Sequence, residues 1–188
     1  VSTDSREIAD IAETFGVRVP ELRPEELASD ASPSSDFVIY TIEYLQNQGK
    51  YFDYIILLEP TSPLRKKKDV DHAIEILERY PETSGIVSLG EVHTEHPAIV
   101  KKINPDGKVV PFIADSEKIM RRQDNQKSYF PYGVIYMVRT DFFQRTKLFY
   151  SEESIPYFIE RWQNYEVDDL YDFICIEAIL KIKQEDII

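Results

Sequence analysis

Apolar side chains recur along the chain at helical spacing in some stretches and as short continuous runs in others. In VSTDSREIADIAETFG, Ile8, Ile11, Ala12 and Phe15 fall on one face of a helix that Ser2, Thr3 or Asp4 can cap and Gly16 stops. A short strand is expected over Val17 to Val19. The stretch ELRPEELASDASPSSD is polar and rich in turn formers. FVIYTIEYLQNQG then restores helical spacing through Phe37, Ile39, Tyr40, Ile42, Tyr44 and Leu45, with Ser34, Ser35 or Asp36 as cap. The run YFDYIILLEP has the unbroken apolar character of a strand buried on both faces. DVDHAIEILERYP follows as an amphipathic helix through Val70, Ala73, Ile74 and Leu77, and GIVSLGEV as the next strand.

Between His93 and Gln126 the pattern breaks into AIVKKI, the turn NPDG, KVVPFI and ADSEKIMRRQDNQK, which predicts a small antiparallel excursion. The strand YGVIYMV, the helix TDFFQRT, a strand over LFYSEES and the C-terminal helix DLYDFICIEAILKIKQ resume the alternation. Helix, buried strand, helix, strand is the order of an α/β domain with a mainly parallel sheet and right-handed crossovers. The expectation is a single domain over residues 1–188 with the excursion, residues 93–126, inserted in it. In such sheets ligands gather beyond the C-terminal ends of the strands. LLEPTSPLR, Leu57 to Arg65, stands at such an end.

Composition narrows the function classes. With 34 acidic against 22 basic residues the net charge is −12, which disfavours binding to nucleic acid or to an anionic membrane, since both need phosphate-neutralising basic surface. Any phosphate chemistry must draw on local cations. Cys175 is the only cysteine, so neither an intrachain disulfide nor a cysteine zinc cluster can form, as expected of a cytoplasmic protein. No apolar stretch reaches membrane-spanning length.

Taken alone, PTSPLR reads equally well as a turn in which Pro63 ends the strand, Thr61 or Ser62 caps, and Arg65 lies in solvent beside Lys66, Lys67 and Lys68. Its company changes that. STDSREIADIAETFGV, LRPEELASDASPSS, LLEPTSPLR, RRQDNQKSYFPYGVIY and YEVDDLYDF together resemble, in order and spacing, the CMP-sialic acid synthetases, the acylneuraminate cytidylyltransferases that join a nine-carbon acidic sugar to CTP. The resemblance covers nearly the whole chain. It implies a three-layer Rossmann-like nucleotidyltransferase fold, CTP and an acidic nonulosonic sugar as substrates, Mg²⁺ as cofactor and a homodimer formed through the antiparallel excursion.

The resemblance also implies roles. Arg23, Ser32 and Ser34 would face the nucleotide, with Ser29 and Asp30 bracing their loop. Glu59, Ser62, Arg65 and Tyr136 would face the sugar, with Phe149 and Tyr150 as an apolar wall. Asp168 and Glu166 would hold the metal, since Mg²⁺ takes one or two carboxylates together with phosphate oxygens and water. Asp169 and Asp172 read instead as complements to the dipole of the last helix. Arg122 would reach the acceptor carboxylate of a neighbouring subunit. The apolar residues Ile99, Val100, Ile103, Val109, Val110, Phe112 and Ile119 of the excursion, too many for so small a piece to enclose, need another surface.

Three positions depart from the resembled pattern. Glu59 replaces a glutamine, Tyr132 an asparagine, and Ile99 a basic residue, all on the sugar side. A carboxylate at position 59 would repel that of an α-keto acid sugar unless it is protonated or turned to a hydroxyl, an amine or Arg65. The family's opening strand and basic PARxxSKxxxxKN loop, which hold the triphosphate, have no counterpart, so the expectation is a partial sequence. The alternatives are a 3-deoxy-manno-octulosonate cytidylyltransferase, with the same reaction and a smaller sugar, and a non-catalytic sugar- or nucleotide-binding remnant.

Overall fold

The computed structural model describes residues 1–29, 31–113 and 126–183. They form two compact units, Val1–Ile55 with Arg139–Phe149, and Ile56–Val138 with Tyr150–Ile188.

The first unit holds three helices, α1 (Arg6–Thr14), α2 (Ser34–Asn47) and α4 (Thr140–Thr146), and a 3-10 turn at Glu25–Leu27. Ser5 caps α1, one residue beyond the expected candidates, its hydroxyl accepting from the Ile8 amide at 3.3 Å. Small Ala9 is the residue α1 buries, whereas Ile8, Ile11 and Phe15 on the expected inner face are 52%, 53% and 79% exposed. Gly16, at φ +75°, ends the helix in the left-handed conformation that suits a residue without Cβ. The strand expected over Val17 to Val19 is not formed; the segment joins no ladder among the described residues. Pro33, not a hydroxyl or carboxylate, precedes α2 as its N-cap, and α2 buries Val38 and Ile42. Phe143 of α4 is fully buried, its ring 4.8 Å from that of Phe149.

The second unit contains α3 (Asp69–Glu78), β2 (Gly85–Glu91), the hairpin β3 (Lys101–Ile103) with β4 (Val109–Pro111), β6 (Ile155–Phe158) and α5 (Leu170–Ile182). β1 (Tyr54–Leu57) and β5 (Tyr129–Arg139) complete the strands. The main sheet has the order β1-β5-β2-β6. β6 is parallel to β2, and β5 is antiparallel to it. Along β1 the partner on β5 falls from Thr140, bonded to Asp53, to Gly133, bonded to Glu59, so β1 also runs against β5. Three strands therefore point one way and β5 alone opposes them, the mainly parallel sheet that the alternation of patterns predicts. β1 is half-buried throughout rather than enclosed on both faces, as befits a strand at the end of that order.

The core of this unit is built from Leu64, Ala73, Leu77, Ile86, Val134, Ile135, Met137 and Val138, all fully buried. Leu64 and Ile176 of α5 form an adjoining cluster with Trp162, Tyr165, Val167, Ile179 and Leu180. Leu64 thus ties the PTSPLR turn to α5; burial of one leucine side chain contributes about 1.5–3 kcal/mol. The strand expected over LFYSEES begins later, at Ile155, because Ser151 to Ser154 close a turn in which the Ser151 amide donates to Ser154 Oγ and the hydroxyls of both meet that of Ser84.

Of the excursion, the described residues include an antiparallel hairpin. β3 and β4 pair antiparallel about the turn at Asn104, whose side chain accepts from the Lys108 amide at 2.8 Å, with Gly107 at φ +75°. Ile103, Val109 and Phe112 are 66%, 67% and 58% exposed. Ile119 and Arg122 lie outside the described residues, as does Asp30.

Candidate active site

The antiparallel pairing of β2 with β5 is interrupted. Val87 faces Tyr136 but Leu89 faces Pro131, so Tyr132 to Ile135 bulge out opposite the single residue Ser88. The buried Ser88 hydroxyl bonds in this gap to the carbonyls of Tyr132 and Ile135 and accepts from the Ile135 amide at 2.9 Å. A bulge frees backbone groups from the ladder and re-aims them, which is why bulges gather beside active sites.

The freed groups are taken up by two of the segments singled out in the sequence. Arg65 Nε donates to the Val134 carbonyl at 2.7 Å, and Nη2 reaches the carbonyls of Gly133 and Ser62 at 3.4 and 3.5 Å. The Glu59 amide donates to the Gly133 carbonyl at 3.2 Å. On its other side the Gly133 amide donates to Glu166 Oε1 at 2.6 Å, and the same oxygen accepts from Ser62 Oγ at 2.5 Å. One peptide bond further on, the Val167 amide donates to the Thr61 carbonyl at 2.8 Å. The PTSP turn, the bulge of β5 and the acidic segment before α5 therefore meet at one carboxylate oxygen.

Gly133 is required there. A Cβ at that position would lie 2.3 Å from Glu59 Oε2 and 2.8 Å from both Glu59 Cβ and Ser62 Oγ. Glu59 is thus packed against the bulge, and burial, reinforced by the nearby Glu166, raises its carboxyl above the ordinary range. Burial also pushes the Tyr136 phenol upward, with Glu59 and Glu166 adding to it, so Tyr136 stays neutral; its hydroxyl donates to the Pro131 carbonyl at 3.3 Å. Tyr150 stacks on Tyr136 at 6.0 Å between centroids. Desolvation lowers the Arg65 guanidinium from its ordinary value, with Asp69 opposing the shift.

Of the sugar-side candidates, Glu59, Ser62, Arg65 and Tyr136 with its stacked Tyr150 gather around this bulge, whereas Phe149 packs on Phe143 within the first unit. Arg65 engages backbone carbonyls, not Glu59. Of the residues expected at the nucleotide, Arg23 donates through Nη2 to the Ser2 carbonyl at 2.7 Å and its guanidinium lies 4.0 Å from the Phe37 ring centroid. Ser32 Oγ donates to the Glu26 carbonyl at 2.9 Å and lies 2.7 Å from Ser29 Oγ, so the loop is knitted by its own hydroxyls, while Ser34 opens α2.

The acidic segment divides its labour. Asp169 caps α5, Oδ1 accepting from the amides of Tyr171 and Asp172 at 2.7 and 3.1 Å, and Asp172 Oδ2 accepts from the amides of Asp168 and Asp169 at 3.2 Å each. Asp168 is exposed, and its carboxylate accepts no hydrogen bond from the described residues. Among the described residues no three histidine, cysteine or carboxylate groups converge as a metal cage. An exposed carboxylate with no hydrogen bond from the described residues is nevertheless the kind of group Mg²⁺ takes, since the ion keeps water and substrate phosphate oxygens in its shell.

Two residues important here carried no sequence signal of their own. Asp69 is fully buried, with Oδ2 accepting from the Lys66 amide at 2.7 Å and from Gln163 Nε2 at 2.9 Å. Gln163 Nε2 also donates to the Leu64 carbonyl at 2.9 Å. Together they fix the end of PTSPLR from below.

A family model described as cytidylyltransferase matches residues 1–188. A CMP-N,N'-diacetyllegionaminic acid synthase of Legionella pneumophila is 31% identical over 190 residues, covering 100% of this chain and 80% of that protein. An N-acylneuraminate cytidylyltransferase of Streptococcus agalactiae is 30% identical over 93% of this chain, which spans 40% of that longer protein. A pseudaminic acid cytidylyltransferase of Campylobacter jejuni is 23% identical over 98% of the chain and 78% of its own length. The solved structure of a CMP:2-keto-3-deoxy-manno-octonic acid synthetase complexed with CTP superposes with a TM-score of 0.63 at 15% identity, over 97% of this chain and 80% of that one, a likeness of fold.

Proposed function

The chain belongs to the cytidylyltransferase family, and from that premise we propose that it activates an acidic nonulosonic sugar with CTP, giving the CMP-sugar and pyrophosphate. The observation that carries this reading is the meeting of the PTSP turn, the bulge of β5 and the acidic segment at Glu166, which brings residues 104 positions apart to one place. The relatives named for legionaminic, neuraminic and pseudaminic acids agree on the substrate class.

In the reaction the anomeric hydroxyl attacks the α-phosphorus of CTP, its oxygen forms the new ester bond, pyrophosphate leaves, and the hydroxyl proton passes to base or solvent. No covalent enzyme intermediate is needed, so the chain contributes position and charge. Tyr136 and Tyr150 present their stacked rings to the sugar, the buried Ser62 braces the turn with its hydroxyl on Glu166, and Arg65 holds the bulge that shapes this side. Arg23, Ser32 and Ser34 order the nucleotide loop. Asp168 would bind Mg²⁺, which supplies neutralisation of phosphate charge when bound; Glu166 is the second carboxylate of the segment, with one oxygen already engaged. The exposed Ile103, Val109 and Phe112 of the hairpin suit a two-fold partner, which would carry the neighbour's Arg122 toward the acceptor.

The test is pyrophosphate release from CTP with Mg²⁺, run against legionaminic, pseudaminic and N-acetylneuraminic acids and 3-deoxy-manno-octulosonic acid, with sedimentation of the same preparation. Turnover with a nine-carbon acid by a dimer is expected. Turnover with only the eight-carbon acid would reassign the substrate, and CTP binding without pyrophosphate release from any of them would favour the remnant.

A further inference from the structure

We infer that Glu166 is a positioning residue: it clasps the PTSP turn to the β5 bulge and so sets where Ser62 and Asp168 stand, rather than binding the metal itself. This rests on the cytidylyltransferase reading for the reaction it serves, but the clasp is a property of the fold. Oε1 of Glu166 accepts two hydrogen bonds, from Ser62 Oγ at 2.5 Å and from the Gly133 amide at 2.6 Å. Ser62 is only 1% exposed, so its hydroxyl has no water to turn to if that acceptor is lost. The Gly133 amide, displaced from the ladder by the bulge, would likewise be orphaned.

The clasp is reinforced from both sides. The Val167 amide donates to the Thr61 carbonyl at 2.8 Å, locking the residue after Glu166 to the residue before Ser62. Glu59 Oε2 and Ser62 Oγ crowd the space where a side chain at Gly133 would begin, so the bulge cannot shift toward them. Asp168 follows two residues later, exposed and with its amide held by Asp172 Oδ2. Hydrogen bonds to a carboxylate are stronger than neutral ones, so Oε1 is committed to the two partners it joins.

The two roles separate by chemistry. A glutamine keeps a carbonyl oxygen that can accept from both Ser62 and Gly133 but is a poorer ligand for Mg²⁺; alanine removes both functions. In the full chain, thermal unfolding in the presence of a chelator reads the clasp without the metal and without turnover. Glu166→Ala is expected to lower the melting temperature by about 4 °C or more, and Glu166→Gln to stay within about 2 °C of the parent. In turnover, Glu166→Ala is expected to raise the KM for the sugar about tenfold with the KM for CTP unmoved, and Glu166→Gln to restore it. Ser62→Ala combined with Glu166→Ala should cost no more stability than Glu166→Ala alone, as for two ends of one bond. The inference is overturned if both variants melt like the parent in chelator, or if Glu166→Gln is as impaired as Glu166→Ala and both recover when Mg²⁺ is raised. A clasp that holds in chelator while no sugar is turned over would leave the inference standing and remove the reaction reading instead.

Discussion

Tyr157 donates its phenolic hydrogen to Asp69 Oδ1 at 2.6 Å in a place where the carboxylate is fully buried and the tyrosine 8% exposed. Tyr157 comes from β6 and Asp69 from the first turn of α3, so the bond ties a strand of the sheet to the helix that follows PTSPLR. Burial and the neighbouring Asp69 raise the Tyr157 phenol, which keeps its proton on the oxygen and the bond intact through the neutral range.

Tyr157→Phe removes one donor from a carboxylate that retains the Lys66 amide and Gln163 Nε2. A loss of about 1–3 kcal/mol is expected in urea unfolding, because the buried oxygen is left without its partner. Asp69→Ala should cost more, since it strands the Tyr157 hydroxyl, the Gln163 amide and the Lys66 amide together. If the two variants unfold at the same midpoint as the parent, the network does not hold the turn.

Glu59 gives a pH dependence of definite sign. Its carboxyl is raised in the folded state, first by burial and then by Glu166, so the folded protein binds this proton more tightly than the unfolded chain does. The stabilising contribution of the protonated form is complete below the ordinary glutamate pKa and is lost as pH rises through the raised folded value. Glu59→Gln, which is neutral at every pH, should therefore melt higher than the parent at pH 7–8, and the difference should shrink toward zero as pH falls below the ordinary glutamate value of about 4.3. The same variant should lower the KM for a carboxylate sugar at neutral pH by removing a like charge. A melting difference that grows on acidification would show Glu59 to be stabilised by an unrecognised cation.

Much of this was legible in the chain. The alternation of periods gave the α/β class, and helices α3 and α4 and the Asn104 hairpin fall where their spacing and turn residues place them. LLEPTSPLR alone reads equally well as a capped turn, and it becomes a site candidate only in company with LRPEELASDASPSS, RRQDNQKSYFPYGVIY and YEVDDLYDF at family order and spacing. What could not be read was the partner of each group. Ser62 and Glu166 are 104 residues apart, and nothing local in YEVDD distinguishes a carboxylate aimed at a buried hydroxyl from one aimed at solvent. Asp69 belongs by pattern to an acidic first turn, and only the packing of β6 and Gln163 over it makes it a buried hub. The bulge in β5 was equally silent, because YGVIYMV has the composition of an uninterrupted strand and its one signal, Gly133, has more than one use.

Adjacent aspartates before α5 should separate into a catalytic and a structural residue. Asp169 makes the cap, accepting from two backbone amides of the first turn, and Asp169→Ala is expected to cost about 0.5–2 kcal/mol of stability with a smaller effect on turnover. Asp168 makes no such bond through its carboxylate among the described residues and is exposed, so Asp168→Asn should leave the unfolding midpoint in chelator unchanged. Its effect should fall on kcat, with a loss of about 100-fold or more if the carboxylate holds Mg²⁺ against the phosphates, equivalent to about 2.7 kcal/mol of lost transition-state stabilisation. Isothermal titration of Mg²⁺ in the presence of CTP checks the assignment independently, since the binding heat should vanish in Asp168→Asn and persist in Asp169→Ala. Equal losses of rate in the two variants would mean that the orientation of α5, rather than the carboxylate of Asp168, is what the chemistry depends on.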